Sequence, residues 1–362
     1  MSSQSPFKIT YVGGGSRFVV TFLHGLAACA DRLRDLGRPI ELVLLDPNAA
    51  RAGEMARYAQ ITRDRVDLPL AVSVTDNRPA ALDGSRWVMF SIGVWDEVAP
   101  IYARLRKGLF PGNPELGPEV AIEAAGEWPY VRQLAEDMVA RCPNAIFATL
   151  SNPTDVLAAA VAQAYGIRSV GLCVEVPQLV RWLAYQLREP YANIHIDYLG
   201  VNHSGWVSRW SIDGVSDADA YLEAALRYRM QAEDWDPIND AFVHVFRMTG
   251  LLRSSPYHHS PFILDYNAAR TAQKDRFYER RARFRDRDFV GQALAAGRMV
   301  EEDQPHTADV WYARYRWPST RFTLGSLALG LAGGEAGPVP IQARNGGARS
   351  EEHTSELQSL LI

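Results

Sequence analysis

Three consecutive glycines, Gly13-Gly14-Gly15, follow the apolar run Lys8-Ile9-Thr10-Tyr11-Val12 and precede Ser16, and a second apolar run, Leu42-Val43-Leu44-Leu45, ends in Asp46. Glycine costs backbone entropy and is favoured where the main chain turns tightly or approaches a ligand. A strand, a glycine-rich turn and a helix, with an acid at the tip of the next strand, is how a nucleotide-binding half-domain begins. Gly13, Gly14, Gly15 and Ser16 can run under a pyrophosphate at the helix start. Asp46 can accept both ribose hydroxyls and would repel a 2′-phosphate, which favours NAD over NADP. Phe18 stands where the usual Gly-x-Gly-x-x-Gly has its third glycine. A tight structural turn therefore stays open for the glycines, and an ordinary strand end for Asp46.

Strands and helices then alternate. Phe18 to Leu33 has apolar residues at helical spacing, closed by Gly37-Arg38-Pro39. Val72 to Thr75 and Trp87 to Phe90 read as strands, Trp128 to Ala140 as a helix, Ala145 to Leu150 as a buried strand, Asp155 to Tyr165 as a helix and Gly166 to Cys173 as a further strand. This order predicts an α/β fold with a Rossmann-like, doubly wound, mostly parallel sheet over residues 6–175. Beyond it, Ile194 to Leu199 and Trp206 to Ile212 read as strands, with helices around Tyr221 to Glu233 and Ala241 to Gly250. A second α+β domain over 176–348 is expected. Arg349 to Ser359 reads as the translation of a sequencing-library adapter, so 349–362 is expected to be a non-native tail and the natural chain to continue past Ala348.

A chain of 362 residues can bury large cores without disulfides or a structural metal. Its three cysteines, Cys29, Cys142 and Cys173, lack paired or zinc-finger spacing, and no apolar leader precedes Lys8. A cytoplasmic location is expected. The net charge of −4 is spread along the chain and its apolar runs stop short of spanning length, so neither nucleic acid nor membrane is an expected partner. The mixed-charge stretch Arg270 to Arg285 reads as a solvated helix face.

Several residues could carry chemistry. Asn152, between a buried strand and Pro153, belongs at the carboxyl edge of the sheet, where such folds bind ligands, or simply in a turn. Cys173 ends a strand and His203 lies in the polar loop Gly200 to Trp206; thiolate and imidazole can share a divalent ion, or be a buried cysteine and a hydrogen-bonded histidine. Tyr257 lies in a loop where a neighbouring cation could lower its pKa enough for it to act as a base, and His258 and His259 are proton carriers or ligands beside it. An aromatic anchor is the plainer role for Tyr257.

On these residues the chain resembles glycoside hydrolase family 4, the NAD- and metal-dependent glycosidases related in fold to lactate and malate dehydrogenases. Gly13 to Ser16 with Gly25-Leu26 is similar to the family's opening loop and helix, and Leu42 to Asp46 to its ribose-binding strand. Asn152-Pro153 resembles its substrate-contacting asparagine, Cys173 its metal-binding cysteine, Asn202-His203 its metal-binding Asn-His and Tyr257 its carbon-2 base. Val339 to Ala348 resembles a degenerate form of a late Asn-Arg-Gly segment.

The resemblance implies that 176–348 carries the substrate and metal contacts and the oligomer interface of a homodimer or homotetramer, with a small glycoside as partner and manganese as metal. It implies that NAD takes hydride from the sugar's carbon 3 and that Tyr257 removes the carbon-2 proton while a metal on Cys173 and His203 stabilises the enediolate. The aglycone then leaves carbon 1, water adds, and NADH returns the hydride. Three departures concern substrate. Cys173-Val174-Glu175 stands where members carry Cys-Asn or Cys-His, Phe90 to Trp95 lacks the usual arginine, and Leu172 replaces an acid that protonates the leaving group in some members. Glu175, His258 and His259 are then the candidates for that acid. An NAD-dependent dehydrogenase of a sugar or hydroxy acid, and a nucleotide-binding protein without catalysis, are the alternatives.

Overall fold

The computed structural model describes residues 5–16, 18–93, 119–173, 175–190, 193–200, 205–232, 235, 239–254, 291, 294–297 and 328–334. Of the sequence-derived candidates, His203, Tyr257, His258 and His259 lie outside the described residues, as do Arg270 to Arg285 and the tail 349–362.

Six parallel strands form one sheet: β1 (Phe7–Val12), β2 (Ile40–Leu45), β3 (Leu70–Thr75), β4 (Trp87–Phe90), β5 (Ile146–Thr149) and β6 (Ser169–Gly171), in the order β3-β2-β1-β4-β5-β6. This is the expected doubly wound α/β architecture. Between the strands run α1 (Phe18–Ala28), α2 (Ala30–Asp35), α3 (Ala49–Val66), α4 (Arg78–Leu82), α5 (Glu119–Arg141) and α6 (Thr154–Tyr165).

Strand side chains alternate between two cores, as the two-residue period of a strand requires. Ile9, Tyr11, Leu42, Leu44, Trp87 and Met89 pack with Val19, Phe22, Leu23 and Leu26 of α1 and with Met55 and Tyr58 of α3. Val88, Phe90 and Phe147 face the other way, onto Leu134 and Met138 of α5 and Leu157 and Val161 of α6. Thr10, buried on that second face, donates its hydroxyl to the Ala81 carbonyl at 2.7 Å and meets Ser85 Oγ at 2.6 Å.

Three element boundaries differ from expectation. The helix read from Phe18 to Leu33 breaks at Cys29, and the bend lets Ala30 and Leu33 of α2 stay in the core. The helix read from Trp128 starts at Glu119, with Pro129 inside it. The strand read to Cys173 ends at Gly171, where its partner β5 also stops, so Cys173 lies two residues past the strand and not on it.

The described chain continues with α7 (Glu175–Leu187), the antiparallel pair β7 (Ile194–Leu199) and β8 (Trp206–Ile212), α8 (Ala218–Arg229) and α9 (Asp240–Thr249). Leu179, Leu183, Val207, Leu222, Leu226 and Phe242 form a separate core, with Trp182 edge-on to Phe242 at 4.8 Å. Asp217 caps α8 by accepting from the Ala220 N–H at 2.9 Å, which starts the helix three residues earlier than its apolar pattern suggests. Among the described residues no helix is long and apolar enough to cross a membrane.

Trp87 is fully buried at the centre of the first core, edge-on to Phe22 at 5.5 Å. Trp87→Ala is expected to cost about 3–5 kcal/mol, read as a lowered urea midpoint with little change in slope.

Candidate active site

All six strands run the same way, so their carboxyl ends share one edge. Backbone bonds extend the ladder one residue past five of the six strands: Asp46 N–H to the Thr75 carbonyl at 3.1 Å, Gly13 N–H to Leu45 at 3.0 Å, Ser91 N–H to Val12 at 2.9 Å, Leu150 N–H to Phe90 at 2.9 Å and Leu172 N–H to Thr149 at 2.9 Å. Asp46, Gly13, Ser91, the Ser151-Asn152 turn and the Leu172-Cys173 segment consequently lie along one rim. Strand order reverses between β1 and β4. That reversal opens the crevice in which sheets of this kind take their ligands.

The glycine turn occupies the reversal. Gly13 has φ +87°, and a Cβ there would fall 2.2 Å from the Ser91 carbonyl oxygen; one on Gly14 would fall 2.7 Å from Leu44 Cβ. The turn is thus pressed between the ends of β4 and β2, so packing demands glycine here as strongly as a ligand would. Ser16 opens α1 by accepting from the Phe18 N–H at 3.2 Å through Oγ, which also lies 3.4 Å from Ser91 Oγ.

Asp46 has two duties. Its Oδ2 accepts from the Gly15 N–H at 2.8 Å and its Oδ1 from the Asn48 N–H at 2.8 Å. Each carboxylate oxygen keeps a second lone pair for another donor, and the half-buried side chain stays reachable from the rim.

Further along the rim, Ser151 donates its hydroxyl to the Ile92 carbonyl at 2.6 Å and its N–H to Thr149 Oγ1 at 3.1 Å. Asn152, half-buried, follows in a cis peptide with Pro153. Cys173 is half-buried, and Cys29, Cys142 and Cys173 form no disulfide with one another. Among the described residues no three His, Cys, Asp or Glu side chains converge as a metal cage.

Sequence reasoning placed Glu175 as a possible proton donor. The structure places it in the first turn of α7, 2% exposed, with its Oε1 taking a 2.5 Å hydrogen bond from Ser254. Near it, the Tyr198 hydroxyl is pushed above its ordinary range by burial and by the Glu175 charge.

Glu127 went unnoticed in the sequence. It lies on α5, 3% exposed, with one carboxyl oxygen unpartnered among the described residues. Burial first, then the Glu123 carboxylate one helical turn away, push its pKa up to about 8, against a hydrogen bond to Ser151 that pulls it down. The signal available was two acids four residues apart on an otherwise apolar stretch before Pro129.

The unfolded carboxyl ionises near 4.5 and the folded one near 8, so between those values the unfolded state sheds its proton first and stability falls as pH rises. Glu127→Gln, which holds no titrating proton, is expected to flatten that fall by on the order of a few kcal/mol. Urea midpoints of both proteins across the same pH span would measure it.

A curated relative, the α-galactosidase of Bacillus subtilis, is 26% identical over 225 residues, covering 61% of this chain and 50% of its own length. The α-galacturonidase of Lachnoclostridium phytofermentans is 27% identical over 224 residues, 58% of this chain and 47% of its own. The chain thus spans about half the length of the curated relatives it matches. Among solved structures, the 6-phospho-β-glucosidase of Thermotoga maritima with NAD and glucose-6-phosphate superposes with a TM-score of 0.64 at 15% identity, covering 90% of this chain and 73% of that one. A 6-phospho-α-glucosidase from gut microorganisms, in complex with NAD and glucose-6-phosphate, gives 0.64 at 18% identity over 93% and 76%. At these identities the superpositions show a shared fold. The family described as Family 4 glycosyl hydrolase matches residues 8–188, half of the 362-residue chain, and the chain belongs to it.

Proposed function

We propose that this protein is a glycosidase that uses NAD and a divalent metal, manganese, to cleave a small glycoside. The observation that carries it is the common rim that holds the glycine turn, Asp46, Asn152 and Cys173. Family membership and the superposed glucosidases, which are in complex with NAD, support the same reading.

The residues present fit the dinucleotide. The Gly13 to Gly15 turn opens α1 at the strand-order reversal, and Asp46 keeps spare lone pairs at the same rim. The fit to the metal rests on Cys173, a half-buried thiol at the rim; His203, its proposed co-ligand, lies outside the described residues. When bound, NAD supplies a reversible hydride acceptor for carbon 3 of the sugar and the metal supplies a Lewis acid for the neighbouring oxygens.

The chain's own residues do the rest. Gly13 to Ser16 present backbone N–H groups and a hydroxyl to the pyrophosphate, and Asp46 accepts from the ribose. Asn152 orients the sugar at the rim. Cys173 and His203 hold the metal, and Tyr257 takes the carbon-2 proton. Glu175 is too enclosed to serve a leaving group, which leaves His258 and His259 for proton delivery. The proposal extends to a cytoplasmic homodimer or homotetramer, with 6–175 binding NAD and 176–348 contributing substrate and metal contacts.

Two experiments test this. Nitrophenyl glycosides supplied with NAD, manganese and a thiol reductant in deuterated water should release nitrophenol with deuterium at carbon 2 of the sugar. Hydrolysis unchanged after removal of NAD and metal, or steady accumulation of NADH, would sink the glycosidase assignment. Asp46→Asn keeps one acceptor oxygen but removes the charge, and should weaken NAD binding about tenfold or more while narrowing the NAD to NADP preference. Titration of both cofactors by fluorescence checks it.

A further inference from the structure

Glu175 lies two residues past Cys173, buried, with a 2.5 Å hydrogen bond from the equally buried Ser254 hydroxyl. The Ser254 hydroxyl gives its proton to the carboxylate, and the Tyr198 hydroxyl also bonds Ser254. The Arg253 guanidinium interacts with both Glu175 and Tyr198 and stacks 4.5 Å over the Trp206 ring. The backbone closes the same knot: Ser254 N–H reaches the Gly205 carbonyl at 3.1 Å, Val207 N–H reaches Leu252 at 2.8 Å, and Trp206 bridges Arg253. The Tyr198 ring lies against Gly205 so closely that a Cβ there would be 2.2 Å from it.

Three chain positions meet in this knot. Glu175 is two residues from Cys173, Gly205 two from His203 and Ser254 three from Tyr257. We propose that Glu175 is a positioning residue: through Ser254 and Tyr198 it locks Gly205 and Ser254 in register with the chain leaving Cys173, and so sets the points from which the segments bearing His203 and Tyr257 depart. This inference rests on the glycosidase reading above. Its physical basis is that a reacting group displaced by about 1 Å can lose roughly a hundredfold in rate, and that a buried carboxylate deprived of its donor cannot settle where it was.

The test measures manganese affinity with NAD present, by loss of the free-ion electron paramagnetic resonance signal, together with kcat and KM on a nitrophenyl glycoside. Ser254→Ala should weaken manganese binding about tenfold and lower kcat by more than it raises KM, with NAD affinity within twofold of wild type. Ser254→Thr, which keeps the hydroxyl, should restore both. If Ser254→Ala does not fold, Glu175→Gln carries the same measurements, with smaller losses expected because an acceptor oxygen remains. A wild-type protein that binds manganese and turns over while these variants match it, apart from a lower melting temperature, overturns the inference alone. A wild-type protein that binds no manganese overturns the glycosidase reading and this inference together.

Discussion

The placement of β1 between β2 and β4 is the constraint on which the rest depends. Each of its residues from Ile9 to Val12 is paired in parallel on both sides, with Leu42 to Leu45 and with Trp87 to Phe90. Because parallel strands all end at the same edge, that pairing brings Asp46, Gly13 and Ser91 to one rim though they are separated by up to 78 positions in the chain. The residues that β5 and β6 release follow along it. A shift of one residue in this register would turn each strand's apolar set to the opposite face and scatter the rim.

Much of the sheet could be read in the sequence because its strands are nearly continuous apolar runs and its turns carry glycine, proline or asparagine. The β7–β8 pair was legible from the apolar–polar alternation of Ile194 to Leu199 and from the short loop to Trp206. Helix limits were harder. The helix read from Trp128 begins nine residues earlier at Glu119, and Cys29 breaks α1 from α2 with no glycine or proline to announce it. These boundaries are decided by which side chains the core accepts, and a one-dimensional pattern does not contain that information.

The candidate site was legible where chemistry follows a motif and opaque where it depends on contact. Asp46, Gly13 and Asn152 could be placed from their position after strands. Glu127 could not, because its raised pKa comes first from burial, which the four-residue spacing to Glu123 does not reveal. Ser254 is a further case: an ordinary serine before a loop, whose partner Glu175 is 79 residues distant. The glycines teach the converse lesson. Sequence reasoning left them to a ligand or to a tight structural turn, and Ser91 and Leu44 leave no space for side chains at Gly13 and Gly14 with or without a ligand.

Asp46 joins two properties usually treated as separate. The same carboxylate that is proposed to meet the ribose ties down Gly15 and Asn48, so it is also a rivet of the β2–α3 corner. A substitution at this position therefore also loosens the glycine turn. A lineage or an engineer moving this scaffold toward a phosphorylated dinucleotide would have to rebuild the corner first, with new backbone acceptors supplied from elsewhere, before the charge could be given up without harm.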